Sequence, residues 1–161
     1  MKRIGIILTS DNRSKAYLQK IILNNIKIDS IIFMNNNKQK KECSNEEKQI
    51  SIQYGFNISE SVEDTLAKNK INYHEFKFVD INHPTLIEYL KKSNIDFCIF
   101  TGGGILKEDV LKSGPKFIHL HPGIVPEYRG STCFYYSMLN ENKCGVTAFI
   151  MNEGLDTGPI I

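Results

Sequence analysis

The stretch "FIHLHPGIVPEYRG", residues 117–130, reads as a strand that breaks into a loop. Phe117, Ile118 and Leu120 form a short apolar run, and Pro122, Gly123, Pro126 and Gly130 then forbid its continuation. The run ends on His119 and His121, two of only four histidines in the chain. Residues two apart on a strand point to the same side, so both imidazoles are expected on one face, at the mouth of a buried strand.

Reading outward, the chain alternates strands and helices. Ile4–Leu8 is a continuous, β-branched apolar run, the pattern of a strand covered on both faces. Residues 9–12 supply capping residues for a helix over 13–26, in which Tyr17, Leu18, Ile21, Ile22 and Asn25 recur at helical spacing. Ser30–Met34 is a second strand. Residues 35–61 are polar and weakly patterned and read as a long loop or insertion, closed by a helix from about Glu60 to Lys70. Strands follow at 71–78, 95–100, 116–120 and 145–151. Between them lie a helix over 84–92 with proline in its first turn, a short helix over 107–111, and a helix over 131–139. This alternation predicts an α/β fold with a mostly parallel sheet, and such sheets bind ligands outside the carboxyl ends of their strands.

Composition narrows the class. A length of 161 residues suits one domain, and 41% hydrophobic with 24% charged residues is ordinary for a globular chain. The net charge of +2 is nearly neutral, and the basic run at Lys38–Lys41 sits in a polar stretch that reads as a solvated loop. No polyanionic or nucleic-acid partner is therefore expected. Cys43, Cys98, Cys133 and Cys144 form no C-x-x-C pair, and Cys98 lies inside an apolar run. The apolar run at the amino terminus is too short to span a membrane and precedes no cleavage-site pattern. A reduced, cytoplasmic protein with no membrane partner is the expectation.

Three loops after strands should gather at one sheet edge: residues 9–14, 101–106 and 119–130. A fourth stretch, 152–159, follows the sixth strand and is expected to reach the same edge. Ser10, Asn12 and Arg13 open a helix, where free N–H groups and a guanidinium suit an anionic group, although plain capping explains the same residues. Gly102, Gly103 and Gly104 permit close backbone approach to a flat ligand, or simply a turn. His119 and His121 have the spacing of a metal-binding pair, but a metal site needs further ligands. Asp156-Thr157-Gly158 matches the short aspartic-protease signature, which works as paired copies and belongs to all-β enzymes; one copy in a βα chain does not fit. Tyr135 and Tyr136 fall on one helix, where at least one is expected in the core.

Read together, "HPGIVPEYRG" and "GVTAFIMNEGLDTGPII" resemble the formyltransferase family that includes glycinamide ribonucleotide, methionyl-tRNA and amino-sugar formyltransferases. The likeness is densest from Gly102 to Ile161. It implies a doubly wound, Rossmann-like formyltransferase domain with helices on both faces. It also implies transfer of a formyl group from 10-formyltetrahydrofolate to a primary amine, without metal or covalent enzyme intermediate. The family's catalytic set is Asn-x-His followed by an Asp; His121 and Asp156 match the last two, and His119 stands in the Asn position. An amide donates to an oxyanion at any pH, whereas a neutral imidazole donates from one nitrogen only. Three outcomes stay open: His119 still donates, the site takes another substrate, or the domain binds without turnover.

By the same resemblance, Gly102, Gly103, Gly104, Ile105, Leu106, Asn152, Gly154 and Leu155 would hold the folate. Ser10, Asn12, Arg13, Tyr128 and Arg129 would lie on the acceptor side. A small amine, first of all a nucleotide-linked amino sugar, is the expected acceptor, with hydrolysis of the formyl donor as the alternative. The final residues, Ile160 and Ile161, read as the start of a strand, and the family's closing strands and helix are expected beyond them.

Overall fold

The computed structural model describes residues 1–35 and 43–161. The basic run 38–41 lies outside the described residues. Among those described, β1 (Ile4–Thr9), β2 (Ser30–Met34), β3 (His74–Phe76), β4 (Phe97–Phe100), β5 (Lys116–His121) and β6 (Thr147–Ile150) form one sheet of order β3-β2-β1-β4-β5-β6. Pairing is parallel from β3 through β5 and antiparallel between β5 and β6. The helices are α1 (Asn12–Leu23), α2 (Asn45–Gln53), α3 (Val62–Lys68), α4 (Pro84–Lys92), α5 (Glu108–Leu111) and α6 (Cys133–Glu141).

Strand periodicity sorts the core into two layers. Ile7, Ile32, Met34, Cys98, Phe100 and Phe117 face Leu86 and Leu90 of α4 and Val110 of α5. The alternate residues Ile6, Leu8, Ile31 and Phe33 face Leu18 of α1 and Val62 and Leu66 of α3. Both faces of the sheet are thus covered, as the uninterrupted apolar runs require. Each of these fully buried side chains contributes about 1.5–3 kcal/mol relative to exposure. Thiol burial at Cys98 pushes its pKa up, so it behaves as a core hydrophobe. All four cysteines are free.

The start of β1 is clamped by two carboxylates. Asp96 accepts from the N–H of Arg3 at 2.8 Å and Asp29 from that of Ile4 at 2.9 Å. These bonds hold both carboxyl groups below the usual range.

Several elements differ from the sequence reading. The stretch 35–61 contains α2, which opens with a reciprocal capping box between Ser44 and Glu47. Ser51 is the one buried residue of α2, so its apolar stripe is too faint to betray a helix. The following helix is shorter than expected because Ser61 caps it, with Asp64 bonding back. β3 narrows to three residues at the sheet edge. Neither Tyr135 nor Tyr136 is in the core: they are 59% and 60% exposed, and α6 buries Cys133 and Ser137 instead. No helix among the described residues is long and apolar enough to cross a membrane.

Candidate active site

The strand order reverses direction between β1 and β4, the place where sheets of this kind bind ligands outside the carboxyl ends of their strands. A buried network fixes its floor. Ser14 Oγ accepts from the N–H of Thr9 at 2.9 Å and meets Thr101 Oγ1 at 2.6 Å. Thr101 Oγ1 in turn donates to the carbonyl of Ile7 at 2.7 Å, so the shared proton in the Ser14 contact comes from Ser14. Asp11, the N-cap of α1, accepts from Ser14 N–H at 2.7 Å. The helix start is therefore capped by its own chain. Ser10 is half-buried, while Asn12 and Arg13 are exposed at the helix entrance.

The glycine loop lies against this floor. A Cβ on Gly102 would stand 3.0 Å from Asp11 Oδ2, and one on Gly103 would stand 2.5 Å from Met34 Cε, where φ is +123°. Only glycine satisfies both the packing and the backbone at 103. Asn82 pins the far end of the loop, donating to the carbonyl of Ile105 at 2.9 Å and accepting from Lys107 N–H at 2.8 Å. Leu106 enters the core, whereas Ile105 is 84% exposed beside it.

One strand over, β5 delivers the histidines. Phe117 is buried against α4 and α5, so His119 and His121 share that face; their ring centroids lie 6.1 Å apart. Phe149, paired opposite His119 on β6, packs edge-on against it at 5.7 Å. His121 is buried. Its Nε2 lies 2.9 Å from the carbonyl of Tyr128, and because a carbonyl only accepts, Nε2 carries the proton. Its Nδ1 faces Asp156 Oδ2 at 3.5 Å. Burial lowers the pKa of His119; the Phe100 carbonyl opposes this, the Arg13 charge reinforces it, Asp156 opposes it and His121 reinforces it. His119 Nδ1 is buried and makes no hydrogen bond.

Asp156 reaches this place by a route that parallel topology would not supply. Because β6 is antiparallel, residues 152–159 leave at the wrong end of the sheet, and the loop doubles back until Ile160 bridges Phe149. The side chain of Asn152 organises this return, accepting from Gly154 N–H at 3.1 Å and Thr157 Oγ1 at 2.9 Å. Asp156 itself has φ of +52°, a left-handed conformation that Asp tolerates better than most residues. The N–H of Gly130 then holds Asp156 Oδ2 at 2.7 Å.

The structure thus brings His119, His121 and Asp156 together, each offering a ligand atom within 4.8 Å of the others. Tyr128 contributes its carbonyl to His121, while its hydroxyl is engaged with Glu141 at 2.7 Å. Arg129 is exposed on the same loop, and Leu155 is 68% exposed on the return loop. Asn152, Glu153, Gly154 and Leu111 line a depression of about 370 Å³. Two neighbours of the histidine were not legible in the sequence. Cys133 Sγ lies 3.3 Å from His121 Nε2 and 3.1 Å from the carbonyl of Pro122. A Cβ on Gly123 would come within 2.5 Å of the Tyr128 carbonyl oxygen, 2.7 Å of Cys133 Sγ and 2.8 Å of His121 Nε2.

A mostly parallel sheet that carries a His–Asp pair at the end of β5 and a glycine loop after β4 is an α/β architecture with a candidate acid–base site. The chain matches the formyl transferase family model over residues 1–161 and belongs to that family. A methionyl-tRNA formyltransferase of Sulfurimonas denitrificans is 33% identical over 115 residues, covering 71% of this chain and 32% of that protein. Another, from Sulfurovum sp., is 42% identical over 76 residues, covering 46% of this chain and 25% of that protein. The chain therefore spans about a quarter to a third of the length of these curated relatives. Among solved structures, phosphoribosylglycinamide formyltransferase from Streptococcus pneumoniae superposes with a TM-score of 0.67 at 18% identity, covering all of this chain and 79% of that one. A sugar N-formyltransferase from Shewanella gives a TM-score of 0.58 at 14% identity, covering 98% of this chain and 55% of that one. These structural likenesses concern the fold.

Proposed function

We propose that this chain transfers a formyl group from 10-formyltetrahydrofolate to a primary amine of a small substrate. The observation that carries this reading is the buried pairing of His121 Nδ1 with Asp156 Oδ2 at 3.5 Å, in a chain of the formyl transferase family. The donor, when bound, supplies an activated formyl carbonyl. The fit of the residues is reasonable: exposed Ile105 and Leu155 offer apolar walls, and the loop glycines allow backbone approach to a flat ring system.

The reaction needs a donor to the carbonyl oxygen as the amine attacks, and an acceptor for the proton that the amine loses. His121 Nε2 is committed to Tyr128, so His121 acts on its Nδ1 side, where Asp156 orients the ring and shares the moving proton. His119 takes the oxyanion contact from its place two residues earlier on the same face. The new C–N bond forms at the amine, the bond to the folate nitrogen breaks, and the proton passes from the first nitrogen to the second by way of the His121–Asp156 pair.

On the acceptor side, Arg13 at the entrance of α1 and Arg129 beside the histidine loop present guanidinium groups suited to phosphate. A nucleotide-linked amino sugar meets that description. A second reading, methionyl-tRNA as acceptor, is favoured by the names of the sequence relatives. The test is release of tetrahydrofolate from the formyl donor across a panel of amino-sugar nucleotides and methionyl-tRNA. Turnover with one acceptor, abolished by His121→Asn, supports the proposal. Turnover without any amine would make the protein a hydrolase, and donor binding with no turnover would make it a binding module.

A further inference from the structure

We propose that His119, His121 and Asp156 form a binding site for a divalent first-row transition ion, zinc foremost. The argument starts from the state of each ligand atom. Tyr128 accepts from Nε2 of His121 at 2.9 Å, which leaves Nδ1 as the nitrogen turned toward the Asp156 carboxylate. The separation is informative. At 3.5 Å it exceeds the ~2.7–2.9 Å of a charge-assisted N–H···O bond. It agrees with the ~3.4 Å that separates two ligands on a tetrahedral ion with metal–ligand distances of ~2.0–2.1 Å.

The third ligand arises from the residue at 119. An imidazole here places a nitrogen within 4.8 Å of both other ligand atoms, where an amide would offer a much poorer donor. His119 Nδ1 makes no hydrogen bond, so no partner on that nitrogen is lost when the ring turns toward the ion. The outer shell already has the form that metal-binding residues use. A backbone carbonyl holds the far nitrogen of His121, and the Gly130 N–H holds Asp156 Oδ2 at 2.7 Å. Two nitrogens and one oxygen of this kind suit zinc, cobalt or nickel rather than magnesium or calcium.

The inference stands on geometry and does not rest on formyl transfer, although an ion bound here would occupy the pair to which proton movement is assigned. The experiment is zinc titration of the chain against a chromogenic chelator, with zinc-edge X-ray absorption on the loaded protein. One zinc per chain with a nitrogen and oxygen shell is expected. His119→Asn and Asp156→Asn, each shown folded by circular dichroism, should each weaken binding by at least ~10–100-fold, the loss that even outer-shell changes cause. Equal affinity in wild type and His119→Asn, a sulfur-containing shell, or no stoichiometric zinc at millimolar metal would each overturn the site. Should Asp156→Asn not fold, His119→Asn decides alone. Formyl transfer assayed in excess chelator reads the proposed function separately: transfer without zinc binding overturns only the metal site.

Discussion

The backbone N–H of Gly130 holds Asp156 Oδ2 at 2.7 Å, so the loop after β5 and the return loop after β6 lock together across the face of His121. Asp156 is thereby fixed by a main-chain donor rather than by another side chain. Its place survives only while both loops keep their shape.

Asp156→Asn is the sharpest functional test of that lock. Asn tolerates the left-handed backbone at this position, so the fold should be kept, with a thermal midpoint close to wild type. Removing the carboxylate should lower kcat/KM for formyl transfer by about 100- to 10,000-fold, the usual worth of a positioned acid–base group. Asp156→Ala should add a loss of stability, because alanine is strained at positive φ. Equal activity of Asp156→Asn and wild type would remove the residue from the chemistry.

At position 119 the direction is different. His119→Asn supplies an amide that donates at every pH, and should preserve or raise the rate of transfer. His119→Ala removes the donor altogether, with an expected drop of about 100- to 1000-fold in kcat. Steady-state kinetics on the two variants would check both; equal rates for all three forms would mean that His119 makes no contact with the oxyanion.

Gly123→Ala should damage the site from behind. Its methyl group would enter a space already bounded by Tyr128, Cys133 and His121 at 2.5–2.8 Å. Overpacking of this kind costs about 1–3 kcal/mol, and chemical denaturation should show it. Because the intruding carbon meets Nε2 of His121, activity should fall further than stability accounts for.

Ser14→Ala removes the centre of the bridge between β1 and β4. It leaves the Thr9 N–H without its bond in a buried setting, with an expected loss of about 1–3 kcal/mol on denaturation. A loss of only a few tenths of a kcal/mol (~0.3) would show that the bridge is replaceable by water or by local relaxation.

Acid should loosen the start of β1. Asp96 and Asp29 have folded-state pKa values below their unfolded ones, chiefly through the Arg3 and Ile4 N–H groups. The folded state then binds fewer protons, so their contribution is complete above about pH 4, the unfolded carboxylate value, and is lost as pH falls through the folded value. A plot of unfolding midpoint against pH should descend on this acid limb, and the Asp29→Asn, Asp96→Asn double variant should flatten it. An unchanged slope would assign the acid sensitivity to other carboxylates.

Much of this architecture was legible in one dimension. The run Ile4–Leu8 announced a strand covered on both faces, because a strand buried on two sides has no polar alternation to hide its apolar character, and Ser30–Met34 and Lys116–Leu120 announced two further strands. Pro84 marked the start of α4 to the residue, since proline fits the first turn of a helix at little cost. The weak element was α2. Its Ser44–Glu47 capping box was present in the sequence, but a helix that buries so little carries no periodic stripe to support the signal.

The apolar runs of the sequence marked the layer architecture, because residue type and short-range spacing suffice to mark buried strands and loops, and the resemblance carried by "HPGIVPEYRG" and "GVTAFIMNEGLDTGPII" marked the family and, as its implication, singled out His119, His121 and Asp156. What only the tertiary structure decided was their state. The Tyr128 carbonyl engages Nε2 of His121 and leaves Nδ1 to face Asp156. The antiparallel turn of β6 brings a carboxylate from 35 positions away to 3.5 Å from the ring. Cys133 and Gly123 close behind it. Those relations follow from contacts between segments distant in the chain, and side-chain spacing along the sequence carries no record of which backbone group will face which ring.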